Sequence, residues 1–169
     1  MDEPIDSLVG VAFNRTMTES VPPWLKLVQG HMHQTAFFAH LKGEVVGFGP
    51  GKATMRIPYG PHLVGNPDTG VVHGGVITAL LDHTSGAAVM AALKDPMAIA
   101  TLDLRIDYMK PATPGEAIVA EVTCLKVTHS VAFVRGSAYQ SSPDDPVAIC
   151  TGAFMLMRGT PSPMMDAKA

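Results

Sequence analysis

Cysteine is scarce. The chain's 169 residues contain only Cys124 and Cys150, too few for a disulfide framework, and no Cys-x-x-Cys pair suggests zinc. A basic patch is missing too. The net charge is −3 and Lys and Arg are dispersed, so no nucleic-acid partner is expected. The amino terminus, MDEPID, lacks the basic and apolar regions of a signal peptide, which points to a cytoplasmic setting. The most membrane-like window, 71–93, is interrupted by His73, Asp82 and His83, so it reads as a buried helix and no membrane association is expected. Ser85, Ser130 and Ser137 lack the Gly-x-Ser-x-Gly turn of a serine hydrolase, and neither a Walker nor a dinucleotide glycine pattern occurs. His31 and His33 are two apart, a poor helical ligand pair, while His83 and His129 have no acid or Cys at ligand spacing. Neither a metal nor a cofactor is expected.

What remains is a composition for burial. Hydrophobic residues make up 47% and charged residues 16%, enough for one domain with a sizeable core. A short helix is expected after Pro22-Pro23, with Trp24, Leu25, Val28 and Met32 on one face. Strands are expected at 44–48 and 52–58 around the turn Gly49-Pro50-Gly51, and 61–70 reads as loop. One strong helix follows at 74–93, closed by Lys94-Asp95-Pro96. The period then drops to two: over 101–108, Leu102, Leu104, Ile106 and Tyr108 face one way, and Thr101, Asp103, Arg105 and Asp107 the other. Further strands are expected at 117–128, 131–139 and 147–158. With no crossover helices, the order predicts an α+β fold, an antiparallel sheet wrapped around one mostly apolar helix.

The densest chemistry lies in VHGGVITALLD, residues 72–82. His73, Gly74 and Gly75 stand where the helix should begin, and bare amides at a helix start attract developing negative charge. Asp82 is an acid in an apolar helix, an expensive placement unless the carboxylate is hydrogen-bonded or functional. It shares a face with Gly75, Thr78, Ser85, Gly86 and Val89, a stripe suited either to a neighbouring backbone or to a narrow ligand. Gly74 and Asp82 are eight residues apart, about 12 Å along a helix at 1.5 Å per residue. An oxyanion donor and an attacking carboxylate must both lie within about 3 Å of the reacting group, or one water away. If the two cooperate, Asp82 must come from a second copy across a two-fold axis, which predicts a homodimer with paired sites. His73 reads as a brace for the loop in preference to a general base.

These residues, with Gly49-Pro50-Gly51, NPDTGVVHGGVITALLD and TLDLRIDYMKPATPGE, resemble a hotdog-fold acyl-CoA thioesterase of the phenylacetate-pathway and thioesterase-superfamily-member type, over roughly residues 43–158. The resemblance implies a curved antiparallel sheet around a long helix, dimerised edge to edge and often paired into tetramers. Residues 1–42 are then an N-terminal extension and 159–169 a flexible tail. It further implies an acyl-CoA substrate, with the Gly74 amide polarising the thioester carbonyl and the partner subunit's Asp82 acting as nucleophile or general base. His73 would hold the substrate-side loop. Asn66, seven residues before His73 where six are expected, would position the water or carbonyl, and Thr101 would assist the water. Gly75, Ser85, Lys110 and Pro111 are expected to contact substrate, Lys110 through a CoA phosphate. The rival readings are a non-catalytic acyl-CoA-binding protein, which would have no use for an acid at position 82, and a hotdog hydratase or dehydratase, whose His-plus-acid order this loop lacks.

Overall fold

The computed structural model describes residues 24, 25 and 35–162. Its centre is the helix α2, Gly74–Ala92, which packs against all six strands of one sheet. Those strands are β1 (Glu44–Gly49), β2 (Lys52–Ile57), β5 (Ala98–Tyr108), β6 (Ile118–Val127), β7 (Val131–Tyr139) and β8 (Ala148–Met157). They run in the order β1-β2-β6-β7-β8-β5, and every pair is antiparallel. This is the expected α+β hotdog architecture. Val76, Ile77, Leu80, Leu81, Ala87, Ala88 and Val89 point from the helix into the core, against Met55, Ile57, Ile118, Val134 and Phe154. By length and composition α2 could cross a membrane, but here it lies in the sheet.

The sheet must bend to surround a helix, and identifiable residues make it bend. Register shifts interrupt β1 at Val45/Gly47, β5 at Thr101/Asp103 and β6 at Cys124/Lys126, and each such bulge adds local twist. At Gly136 in β7, a side chain would press its Cβ to 2.5 Å from Val122 Cγ2 and 2.6 Å from the Glu121 carbonyl oxygen, so only glycine allows the neighbouring strand this close. The β1–β2 turn is pinned from below. Gly51, at φ 62°, donates its N–H to the Ala91 carbonyl of α2 and accepts from Cys124 N–H.

The structure departs from the sequence expectations at three places. Residues 61–70 are not all loop: Pro61–Leu63 forms a 3-10 turn, and β3 (Val64–Asn66) pairs with β4 (Val71–Val72) as a small separate ladder. The Gly, Asn and Pro residues taken as loop signals make the tight turn inside that ladder, with Gly70 at φ 74°. Leu102 does not face the core. It is the bulged residue of β5 and is 54% exposed, and the bulge shifts the alternation so that Thr101, paired with Phe154, turns to the helix side. A short helix, α1 (Ala36–His40), buries Phe38 where no element was expected.

Trp24 and Leu25 are helical, Leu25 fully buried, and the Trp24 indole donates to the Lys94 carbonyl beyond the end of α2. Val28 and Met32, the rest of that expected face, lie outside the described residues, as do His31 and His33. After β8, the Ala98 N–H donates to the Thr160 carbonyl and Ser162 is buried; 163–169 are not described.

Gly136→Ala is expected to destabilise the protein by about 1–3 kcal/mol through overpacking, lowering the thermal midpoint by several degrees. An unchanged midpoint in calorimetry would contradict the close-approach account.

Candidate active site

The loop before α2 is built to hold the first helical turn. Tyr59 O–H donates to the Gly70 carbonyl at 3.0 Å, and the His73 N–H donates to the Leu63 carbonyl at 2.8 Å. Gly65 lies flat against His73, where a Cβ would approach its Cα to 2.8 Å. His73 is the N-cap, with extended backbone (φ −63°, ψ 134°), and its Nδ1 accepts the Gly75 N–H at 2.9 Å. The neutral ring therefore carries its proton on Nε2. A Cβ on Gly75 would press against that same Nδ1 at 2.9 Å, so the second glycine makes the cap possible.

The peptide on the other side is held by β5. Tyr108 O–H donates to the Gly74 carbonyl at 2.9 Å, and its oxygen lies 2.8 Å from Thr78 Oγ1. With the His73 carbonyl accepting from Val76 and Gly75 N–H given to His73, one amide is left bare. Among the described residues nothing accepts from the Gly74 N–H. A fixed, unpaired N–H at the positive end of a helix attracts negative charge.

Asp82 lies two turns further along. Thr101, turned inward by the β5 bulge, donates its hydroxyl to Asp82 Oδ1 at 2.9 Å and leaves Oδ2 without a partner among the described residues. The pair stands at the mouth of a cleft of about 170 Å³ between α2, β5 and β8, lined further by His83, Gly86, Ala87, Met90, Ile99 and Phe154. Thr101 is exposed, whereas Ala87, Met90 and Phe154 are buried, so the cleft joins a polar mouth to apolar walls. Gly86 lacks any backbone need for glycine and costs helix stability of about 1 kcal/mol relative to alanine.

His83 stacks on Phe38, ring centroids 4.2 Å apart and planes 19° from parallel, and its Nε2 is buried without a hydrogen-bond partner among the described residues. Burial pushes its imidazole below the ordinary value of 6.5, and the neighbouring Asp82 carboxylate offsets part of that shift.

The expected site residues thus fall into two groups. Asn66, His73, Gly74 and Gly75 gather at the start of α2, while Asp82 and Thr101 meet about 12 Å along it. Asn66 spends its side-chain oxygen on its own turn, accepting the Asp68 N–H at 3.0 Å. Ser85 is fully buried beside the Cys150 thiol and does not line the cleft. Lys110 forms an exposed ion pair with Asp145, next to the exposed Pro111. Sequence reasoning missed Tyr108, His83, Met90, Ile99 and Phe154. Tyr108 did carry a signal, since the alternation of β5 placed it inward. The others gave none, because they meet only after the sheet closes.

Comparison with known proteins places this geometry. Residues 69–147 match the family model described as the thioesterase superfamily. A Halobacterium salinarum protein, whose name assigns it provisionally to the esterases, is 31% identical over 141 residues, covering 78% of this chain and 91% of that protein. The solved structure of a Pseudomonas aeruginosa protein superposes with a TM-score of 0.72 at 41% identity, over 80% of this chain and all of that one. The Escherichia coli medium/long-chain acyl-CoA thioesterase YigI is 31% identical over 88 residues, 44% of this chain and 56% of that protein. The fold and these matches mark a thioester hydrolase. The chain belongs to the thioesterase superfamily.

His83 supplies a pH test. Its folded-state pKa lies below its unfolded value of 6.5, so between the two the unfolded chain binds more protons. Stability is therefore fully present above 6.5 and is lost as pH falls from 6.5 towards the lowered folded value. Thermal midpoints between pH 7.5 and 5 should fall more steeply for the wild type than for His83→Gln; coincident slopes would refute the assignment.

Proposed function

We propose that the protein hydrolyses an acyl-CoA thioester to a carboxylate and free CoA at a site completed by two subunits. The observation that carries this is the pairing of a bare Gly74 N–H with a Thr101-held Asp82 carboxylate on one helix, too far apart to share a carbonyl within a chain. The bound thioester carbonyl accepts from Gly74 N–H of one subunit. The partner subunit's Asp82, steadied at Oδ1 by Thr101, presents Oδ2 to the carbonyl carbon or to a water beside it. As a base it takes the proton of the water as the C–O bond forms; as a nucleophile it forms an anhydride that water then opens. In both cases the oxyanion collapses with cleavage of the C–S bond, and the thiolate takes up a proton.

The edge of the sheet supports the dimer. β5 is eleven residues long, and among the described residues only β8 pairs with it. Leu102, Tyr108 and Met109, along and just beyond it, are exposed. A long open edge is a template for another strand, and a two-fold axis beside β5 makes the contact self-complementary. CoA as the carrier rests on the Escherichia coli relative's name and on Lys110, whose surface pairing with Asp145 is weak enough to exchange for a phosphate.

Asp82→Asn keeps an oxygen for Thr101 and removes the reactive carboxylate. Thiol release from a panel of acyl-CoAs should fall by about 10²–10⁴ in kcat, with the thermal midpoint little changed. Wild-type rates in the variant, or a wild type that releases no thiol from any acyl-CoA, would overturn the proposal.

A further inference from the structure

We infer that Gly86 sets how much acyl chain the site accepts, by leaving open the slot that runs from Asp82 to Met90. The inference rests on the thioesterase reading for the identity of the ligand, and on the cleft for everything else.

A structural glycine is usually explained by a positive φ or by a neighbour that leaves no room. Gly86 has neither. Its φ is not positive, and a Cβ built there would stand 3.7 Å from Ile99 Cδ1 and 3.8 Å from Phe154 Cε1, ordinary contact distances. Alanine would fit and would make a better helix. The missing methyl leaves room for about one carbon between α2 and the Ile99 and Phe154 side chains, and all three residues line the cleft.

The two ends define what fits. Asp82 and Thr101 mark the reacting end, and Met90, a further lining residue, stands about 12 Å away along the helix. Between them the walls are Gly86, Ala87, Ile99 and Phe154. The volume, about 170 Å³, compares with the roughly 150 Å³ of an apolar protein cavity that holds benzene. The slot therefore takes an apolar acyl tail of about six carbons, linear or phenyl-bearing, its thioester carbonyl at Asp82 and its tail passing over Gly86 towards Met90.

Two measurements test this on the full-length protein. Calorimetric affinities for S-alkyl-CoA thioethers, which cannot be hydrolysed, should rise about fourfold per methylene up to about six carbons and then level off. In Gly86→Ala the plateau should come one or two carbons earlier, and in Gly86→Val earlier still. Gly86→Ala should melt about 2–4 °C higher, showing that the change in binding is not loss of fold. S-hexyl and S-(2-phenylethyl) ligands separate linear from aryl tails. In parallel, the ratio of hexanoyl- to acetyl-CoA hydrolysis should fall about fourfold or more in the variants. An unchanged chain-length profile in both variants would overturn the role of Gly86 even if hydrolysis is normal. A shortened profile in a protein that releases no thiol would uphold the slot and overturn the thioesterase reading.

Discussion

The constraint on which this protein's chemistry depends is the rise of an α-helix. A donor at its first residue and an acid eight residues later stand about 12 Å apart, and nothing in a rigid, buried helix can bring them together. α2 is held on one side by all six strands of the sheet, so its geometry is not adjustable. In the proposed mechanism the two reactive groups therefore come from two copies of this helix. The β5 edge, which among the described residues pairs with β8 alone and lies beside the Asp82–Thr101 pair, is where the proposed second copy would find backbone to pair with.

The same helix is prepared differently at the two positions proposed to react. At the start, hydrogen bonds are used up until one is left: His73 takes the Gly75 N–H and Tyr108 holds the Gly74 carbonyl, so the remaining Gly74 amide is fixed without being occupied. At Asp82 a carboxylate in apolar surroundings is steadied by one hydroxyl, and that hydroxyl is available because the β5 bulge reverses the strand's alternation. An unbulged strand would carry Thr101 to the outer face with Asp103 and Arg105. Local irregularity in the sheet thus becomes preorganisation at the site.

The elements with a strong period were legible in the sequence. α2, β1, β2 and β5–β8 all lie within a few residues of where apolar spacing and Gly/Pro punctuation put them, because burial against one core imposes those periods. The bulge at Leu102 was not legible, since a perfect apolar/polar alternation conceals an inserted residue whose reason lies in the partner strand and the helix. The β3–β4 ladder was hidden by its own turn residues, and α1 was too short to show a period. Within the site, Gly74, Asp82 and Thr101 drew attention by residue type and position. His83, Ile99, Met90 and Phe154 come from three different elements, and only tertiary packing makes them one surface.

Subunit complementation tests the shared site most directly. Gly74→Pro deletes the one bare N–H at a first helical position where proline is favoured, and His73 already has the extended backbone that a residue before proline adopts. Gly74→Pro and Asp82→Asn should each be inactive as pure proteins. When the two are mixed, unfolded and refolded together, heterodimers should regain one intact site each, restoring about a quarter of wild-type activity at random pairing. A mixture as inactive as its two components would contradict a site made by two subunits.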